Sequence, residues 1–146
     1  MVIVGKWIVG NDGITRPMVL VRVPGADGSL TEERFLVDTA ADRTALSADL
    51  LKKLQLPGNH AATGVSLQGI GGASPYIVVT TALEFRREEG GVARVRGEFA
   101  AFTDPAATDL SILGRDVLDH FDVITSRRQN AVLLLAGNHQ YQVVGG

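Results

Sequence analysis

The sequence predicts an all-β domain, because short runs of β-branched and aromatic residues alternate with strong turn signals. Val2 to Val9 is the first of these runs, and the turn Asn11-Asp12-Gly13 follows it. Met18 to Val23 and Glu32 to Val37 lie on either side of the glycine-containing turn Pro24 to Ser29. These two runs are therefore expected to pair as a β-hairpin.

The second half of the chain continues this pattern of strands and turns. Tyr76 to Phe85 and Val92 to Phe102 are predicted strands, and the turn Arg87 to Gly91 joins them as another hairpin. Three shorter strands are predicted at Val123 to Thr125, Ala131 to Ala136 and Tyr141 to Val144. The pattern extends along the sequence without an internal repeat or a low-complexity linker.

Two short helical segments interrupt the predicted strands. Ser47 can cap the first segment, in which Leu50 and Leu54 belong to an apolar stripe. The second segment lies within Leu110 to Phe121, which begins as a strand and passes through Gly114 into a short helix. Its apolar positions are spaced for one helical face.

The composition is that of a soluble globular protein. The chain has 146 residues, of which 45% are hydrophobic and 21% are charged, and this length can bury a substantial core. We therefore predict a single domain over residues 1–146. The formal charge of -2 predicts no nucleic-acid partner, because phosphate binding needs several clustered cations.

The residue types also argue against several kinds of site. The absence of cysteine excludes thiol catalysis, disulfides and cysteine-based zinc sites. His60, His120 and His139 stand far apart without a metal-binding spacing, so we predict no metal and no cofactor. No apolar run approaches the roughly 20 residues that span a bilayer, and the apolar start lacks the pattern of a signal peptide. The expected location is cytoplasmic.

The sequence does not support a nucleophilic serine or a phosphate-binding loop. A nucleophilic serine is set aside because GxSxG is missing. The glycine-rich stretch from Gly69 to Ser74 lacks the GK[ST] of a P-loop and precedes a strand pattern, so no helix N-terminus is available for a phosphate. Glycines at these positions favour the tip of a hairpin, and such hairpins can serve as lids.

The carboxylate of Asp38 stands at the end of a hydrophobic run. Phe35-Leu36-Val37 precedes it, and three small residues separate it from a second carboxylate, Asp42. A carboxylate in this position is more often a turn or cap residue. Small neighbours also permit another backbone to approach closely. The local pattern thus leaves a turn role and a catalytic role open.

Three motifs follow one another along the chain: VDTAAD at residues 37–42, LQGIGGASP at residues 67–75 and SILGRDVL at residues 111–118. In this order and spacing they resemble the catalytic motif, the flap and the later Gly-Arg segment of the retropepsin-like (retroviral-type) aspartic protease family. The resemblance covers roughly residues 16–135. The flanking sequence is more similar to cellular and bacterial members than to viral ones.

This resemblance implies a fold and an assembly. The fold would be a closed or open β-barrel of short strands, with a hairpin flap and one or two short helices. Asp-Thr occurs once in the chain and Asp-Ser never, so an enzyme of this kind would take its second aspartate from a second chain. The implied protein is a homodimer that hydrolyses polypeptide substrates as an endopeptidase, without a metal.

The resemblance also implies roles for the residues of the first motif. Asp38 would be the catalytic carboxylate, and Thr39 would hydrogen-bond across the dimer. Ala40 and Ala41 would line the loop whose backbone contacts substrate. Asp42 would point toward the substrate backbone.

The two later motifs would support this loop. Gly114 would let the chain cross close under the loop, and Arg115 would brace it by pairing with Asp42, for which a simple surface ion pair is the alternative. The flap tip over a bound peptide would be formed by Gly69, Ile70, Gly71 and Gly72.

One departure from the family pattern concerns Ala40, because the family most often has glycine at that place. Alanine limits the freedom of the loop. A second interpretation therefore stays open, in which the same fold binds peptides or dimerises with weak turnover or none.

Overall fold

The computed structural model describes residues 1–60, 67–69, 72–74, 76–104, 106 and 110–145. Its strands are β1 (Val2–Val9), β2 (Thr15–Pro24), β3 (Leu30–Val37), β4 (Ala45–Leu46), β5 (Gly58–His60), β6 (Leu67–Gly69), β7 (Gly72–Ser74), β8 (Tyr76–Arg86), β9 (Val92–Phe102), β10 (Ser111–Leu113), β11 (Asp122–Ser126) and β12 (Ala131–Leu135). Its helices are α1 (Ala48–Leu54) and α2 (Arg115–Leu118). The predicted all-β class is confirmed, and both helices lie in the segments where the sequence predicts them.

Ten of the described strands form one sheet, in the order β11-β12-β1-β2-β3-β10-β4-β9-β8-β5. Strand β2 also pairs with β8, where Arg22 is opposite Glu84. The pairings of β2, β3, β10, β4, β9 and β8 therefore form a closed circuit. Strands β6 and β7 form a separate two-stranded sheet.

Alternate residues of the paired strands build the core. In β2 the side chains of Val19, Val21 and Val23 are buried, whereas Leu20 is 47% exposed. This period of two is expected for strands with one buried face. Other fully buried side chains of large volume are Ile3, Phe35, Leu46, Leu50, Leu54, Leu83, Phe85, Leu113, Leu134 and Leu135.

Both predicted hairpins are present. Strands β2 and β3 pair antiparallel, and β8 and β9 do the same over their whole lengths. Gly28 in the first turn has a φ of 82°, a backbone conformation that favours glycine. The first hairpin ends at Val37, so the following residue, Asp38, is delivered to one end of the sheet.

Helix α1 begins at the predicted cap. The Ser47 hydroxyl accepts a hydrogen bond from the Leu50 N–H at 3.1 Å, which satisfies one of the free donors of the first turn. Gln55 ends the helix in the left-handed conformation, with a φ of 52°. Neither α1 nor α2 has the length and apolar character that a membrane-spanning helix needs.

The predicted strand at Tyr141 to Val144 is wrong. This segment has no regular structure, and Val143 and Val144 are 102% and 80% exposed. β-branched residues favour a strand only where a neighbour supplies hydrogen bonds and an apolar surface covers one face. None of the described strands pairs with this segment.

Candidate active site

Asp38 lies at the tip of a strand that is anchored on both sides. Strand β3 pairs antiparallel with β2 and parallel with β10, and its residues Phe35 and Val37 are buried in the core. The Asp38 N–H donates to the Leu113 carbonyl at 3.1 Å. This bond extends the β3–β10 pairing one residue past the strand end, so the backbone of Asp38 is fixed while its side chain is only half-buried.

The loop after Asp38 is tightened by the carboxylate itself. Oδ1 of Asp38 accepts a hydrogen bond from the Ala40 N–H at 3.1 Å, and the Asp38 carbonyl accepts one from the Ala41 N–H at 3.2 Å. The first contact makes an Asx turn. A turn role and a catalytic role are compatible here, because the turn does not use Oδ2. Thr39 and Ala40 are exposed at the tip of the loop.

Gly114 lies where two backbones cross. A Cβ atom at this position would lie 2.4 Å from the carbonyl carbon of Arg43 and 2.5 Å from its oxygen, which is closer than a real side chain allows. The φ of Gly114 is -99°, a value that any residue adopts. The close approach, and not the backbone conformation, therefore requires glycine. The Gly-Arg segment thus packs against the loop that follows Asp38.

Backbone hydrogen bonds and an ion pair join this segment to the loop. The Arg115 N–H donates to the Ala41 carbonyl at 2.8 Å, and the Asp116 N–H donates to the Asp42 carbonyl at 3.3 Å. The Arg115 guanidinium also donates to the Asp42 carboxylate. Both partners of this ion pair are more than half exposed, with side-chain exposures of 54% and 78%. Water therefore weakens the ion pair, and the backbone contacts contribute more of the bracing.

A buried contact that the sequence did not predict lies at the same crossing. Thr44 is fully buried, and its hydroxyl donates to Oδ1 of Asp116 at 2.7 Å and accepts from the Gly114 N–H at 3.0 Å. The Thr44 N–H also donates to Asp116, at 2.8 Å. A threonine shortly after the VDTAAD motif and a carboxylate at the start of a short helix were the available signals. Neither signal says that the two residues meet.

A second buried polar cluster, also missed, lies beneath the loop. The hydroxyls of Ser47 and Ser111 are fully buried and both donate to the Glu33 carboxylate. The Ser111 hydroxyl accepts from the Ser47 N–H at 2.8 Å. These bonds tie β3 and β10 to the start of α1. Glu33 is half-buried on β3, in phase with the buried Phe35 and Val37. This alternation was the one sequence signal that Glu33 needs partners.

The predicted flap lies only partly within the described residues. Gly69 and Gly72 are opposite each other at the ends of β6 and β7, which pair antiparallel. Ile70 and Gly71 lie outside the described residues. The described part is a hairpin, as the sequence predicts.

The arrangement offers acid–base chemistry. It presents the half-buried Asp38 carboxylate on a backbone that is held by hydrogen bonds, beside the exposed loop tip. Such a group can exchange protons with a water molecule or a substrate, and with a second carboxylate it can share one. Within the described ranges, no cluster of three or more His, Asp or Glu side chains is placed to hold a metal ion.

Comparison with known proteins identifies the family. The model of the aspartyl protease family matches residues 19–117, which is more than half of the chain and includes both Asp38 and the Gly-Arg segment. The chain therefore belongs to the aspartyl protease family. No curated protein matches the chain.

The solved structures that are similar to this chain include a bacterial and a viral protease. A retropepsin-like aspartic protease from Rickettsia conorii has a TM-score of 0.56 at 16% identity, and the match covers 92% of this chain and 88% of that chain. The EIAV protease complexed with the inhibitor HBY-793 has a TM-score of 0.48 at 20% identity, over 77% of this chain and 92% of that chain. The likeness to the Rickettsia structure shows that the fold is shared.

Proposed function

We propose that the protein is an aspartic endopeptidase that acts as a homodimer, with one Asp38 from each chain in a shared active site. The observation that carries this proposal is the placement of Asp38, a half-buried carboxylate on a backbone held by the Leu113 carbonyl. Membership of the aspartyl protease family supports it. Because each chain supplies one such carboxylate, a two-fold axis at the loop tips would complete the pair.

The chemistry follows from the contact of two carboxylates. Two such groups side by side cannot both ionise at low cost, so the pair holds one proton. The ionised member takes a proton from a water that attacks the scissile carbonyl carbon, while the protonated member gives its proton to the carbonyl oxygen. The tetrahedral diol then collapses: one hydroxyl returns a proton to the pair, the C–N bond breaks, and the leaving amine receives a proton. The pair ends with the single proton with which it began.

The residues around Asp38 have supporting roles in this proposal. Thr39 is exposed at the loop tip, where its hydroxyl can bond to the loop of the second chain. The Ala40 N–H orients the Asp38 carboxylate through the hydrogen bond to Oδ1. Asp42 is exposed beside the loop and can accept a hydrogen bond from the backbone of a bound peptide.

The substrate would be an extended polypeptide. The β6–β7 hairpin, which ends at Gly69 and Gly72, would close over it as the flap. An extended peptide between a flap and a catalytic loop binds by strand addition, with alternate side chains filling pockets.

The alternative function is a peptide-binding or dimerisation module with weak turnover or none, and it rests on Ala40. Among the described non-glycine residues, only Gln55 and Asn130 have a positive φ. Ala40 therefore has a backbone conformation that alanine adopts without strain. Its contact with Asp38 uses the backbone N–H, which alanine supplies as well as glycine. These two points favour the enzyme over the module.

The first test is the substitution Asp38→Asn. We expect peptide cleavage at acidic pH, measured by mass spectrometry on a mixed peptide library, to fall by about 100- to 10,000-fold. The matched control is Asp49→Asn, which changes an exposed carboxylate on α1 and should leave cleavage unchanged. Equal cleavage by the parent and Asp38→Asn would exclude the enzyme. Peptide binding without cleavage by the parent would favour the module.

A mixing experiment tests whether the active site is shared. If two Asp38 residues are needed, a freely exchanging equal mixture of parent and Asp38→Asn chains should retain about one quarter of the activity of the parent at the same total concentration. If each chain acts alone, the same mixture should retain about half. The second result would contradict the dimeric site while leaving Asp38 as a catalytic residue.

A further inference from the structure

A row of four alternating charges crosses the outer face of the sheet. Arg22 on β2 is opposite Glu32 on β3 and opposite Glu84 on β8, and Glu84 is opposite Arg94 on β9. The row therefore runs Glu32, Arg22, Glu84, Arg94 across four neighbouring strands. With about 4.8 Å between strands, it is about 14 Å long.

The two inner charges of this row are satisfied within the chain. Glu84 is only 6% exposed, and its carboxylate contacts Arg22 at 3.7 Å and Arg94 at 2.5 Å. The two end charges reach the solvent: Glu32 is exposed, and 54% of the Arg94 side chain is accessible. A partner that approaches this face therefore meets a negative charge at one end and a positive charge at the other.

Exposed apolar side chains alternate with the exposed Arg34 and Arg86 beside the row. Leu20, Leu30 and Val92 each stand two residues from a member of the row on the same strand, and they are 47%, 45% and 37% exposed. Val4 on β1 is 49% exposed and lines a shallow hollow together with Leu20 and Glu84. Large apolar residues gathered on one face of a sheet mark an interaction surface more often than scattered ones do.

We propose that this outer face binds a second copy of the chain, through a two-fold axis parallel to the strands. Such an axis reverses the order of the row in the second copy. Glu32 then faces Arg94 of the second copy, and Arg22 faces Glu84 of the second copy, so every position meets the opposite charge. In the neighbouring row the same axis brings Leu20 opposite Arg86 and Val92 opposite Arg34, so the apolar side chains would pack on the aliphatic stems of these arginines.

The order of charges in the row favours a second copy as the partner. The row itself contains two positive and two negative groups and offers no net attraction to a polyanion such as nucleic acid, whereas the exposed Arg34 and Arg86 beside it carry positive charge. A copy of the same row, reversed, matches it at all four positions. This contact would be separate from the catalytic pair. Glu32 precedes Asp38 by six residues on β3, a separation of about 20 Å along the strand.

Charge reversal at the two ends of the row tests the proposal. In a Glu32→Lys homodimer each new lysine would face Arg94, and in an Arg94→Glu homodimer each new glutamate would face Glu32. Both variants should therefore bind themselves at least about tenfold more weakly than the parent. A one-to-one mixture of the two variants pairs the new lysine of one chain with the new glutamate of the other, and it keeps one contact of Glu32 with Arg94. The mixture should therefore associate again, and sedimentation of the full chain at about 20 mM salt would measure this.

Three controls separate this interface from other causes. Lys53→Glu reverses an exposed charge on α1 and should associate like the parent. Melting curves show whether each variant folds. Association of the parent should weaken at about 500 mM salt, because solvent-exposed charges are screened there. A dimer through the Asp38 loop would form equally in both single variants and retain their cleavage activity, so failure of the catalytic proposal is visible separately.

Two results would overturn the inference. One is a sedimentation mass that is the same for the parent at both salt concentrations and the same for the parent and both variants. The other is a mixture of folded variants that associates no better than either variant alone. If a synthetic peptide of alternating Glu and Arg binds the parent while the parent does not self-associate, the face takes an extended peptide and the second-copy proposal is wrong.

Discussion

Two contacts brace the same crossing beside Asp38, and they differ in burial. The inner contact joins the buried Thr44 to Gly114 and Asp116, whereas the outer contact is the exposed ion pair of Asp42 and Arg115. Water competes for the outer contact but cannot replace the partners of a buried hydroxyl. We therefore expect the inner contact to fix the loop. We expect the exposed Asp42 to be able to exchange Arg115 for a substrate.

Adding a side-chain atom at Gly114, where two backbones cross, should have the largest effect on stability. In Gly114→Ala the new Cβ would lie 2.4 to 2.8 Å from backbone atoms of Arg43, and backbone atoms on both sides cannot rotate away. We expect a loss of about 2–4 kcal/mol in the free energy of unfolding, measured with chemical denaturant, together with a loss of cleavage.

The matched control for that substitution is Gly97→Ala on β9. A Cβ there would meet only the Phe99 ring, at 3.6 Å, which is an ordinary contact. This variant should unfold within about 1 kcal/mol of the parent. If both variants lost the same stability, close packing at the crossing would not be the reason for Gly114.

Removing the hydroxyl of the inner contact should have the next largest effect. Thr44→Val keeps the shape of the side chain but leaves the buried Gly114 N–H without its acceptor. We expect a loss of about 1–3 kcal/mol in the free energy of unfolding. Thr44→Ser, which restores a hydroxyl, should recover part of it.

Thr80→Val provides the comparison for this loss, since Thr80 is an exposed threonine on β8. It should change the free energy of unfolding by no more than about 0.5 kcal/mol. Equal stabilities for Thr44→Val and the parent would show that the inner contact does not hold the loop.

Breaking the outer contact should change stability less. A double-mutant cycle with Asp42→Ala and Arg115→Ala should give a coupling energy of about 0–1 kcal/mol that decreases as salt is added. If Asp42 also contacts substrate, Asp42→Ala should raise KM for peptide cleavage more than Arg115→Ala does. A coupling energy as large as the stability lost in Thr44→Val would contradict the expectation that the inner contact, and not the ion pair, fixes the loop.

The sequence predicts the residues of this crossing better than it predicts their contacts. The resemblance to the family motifs predicts Asp38, Gly114 and Arg115, and the close approach of the Arg43 backbone gives the physical reason for Gly114. Thr44 and Asp116 were missed because their importance depends on a meeting between segments that are 72 residues apart. Hydrophobic periodicity reports the burial of a strand face, and it contains no information about which polar groups meet.

The fold shows the same division between local and distant information. The hairpins and the Ser47 cap follow from local turn and capping chemistry, so they could be predicted from short windows of sequence. The strand predicted at Tyr141 to Val144 failed because strand formation depends on a neighbour that local propensity cannot supply. The polar cluster of Glu33, Ser47 and Ser111 likewise depends on three segments that come together only in the folded chain.

The smallest expected effect on stability comes from another exposed ion pair, that of Asp12 and Arg16. It tests whether good hydrogen-bond geometry can offset the weakening of an ion pair by water. Arg16 contacts both carboxylate oxygens of Asp12, at 2.6 and 3.0 Å. Hydrogen bonds, the largest effect from Arg16 and the next from the Ile14 N–H, lower the pKa of Asp12 from the usual 3.8 to about 2. A carboxylate whose pKa is lower in the folded state stabilises the fold above its unfolded pKa. That contribution is lost as the pH falls from about 4 to about 2.

Asp12→Asn should remove this part of the acid sensitivity. The parent should lose slightly more thermal stability than the variant between pH 4 and pH 2, and the two should have parallel melting temperatures above about pH 5. Titration of Asp12 followed by NMR should show a midpoint of about 2 in the parent and a higher midpoint in Arg16→Gln. A midpoint that stays at about 2 in Arg16→Gln would assign the low pKa to the backbone N–H of Ile14, which also donates to Asp12 at 3.0 Å. The Arg16 contact would then be as weak as exposure alone predicts for Asp42 and Arg115.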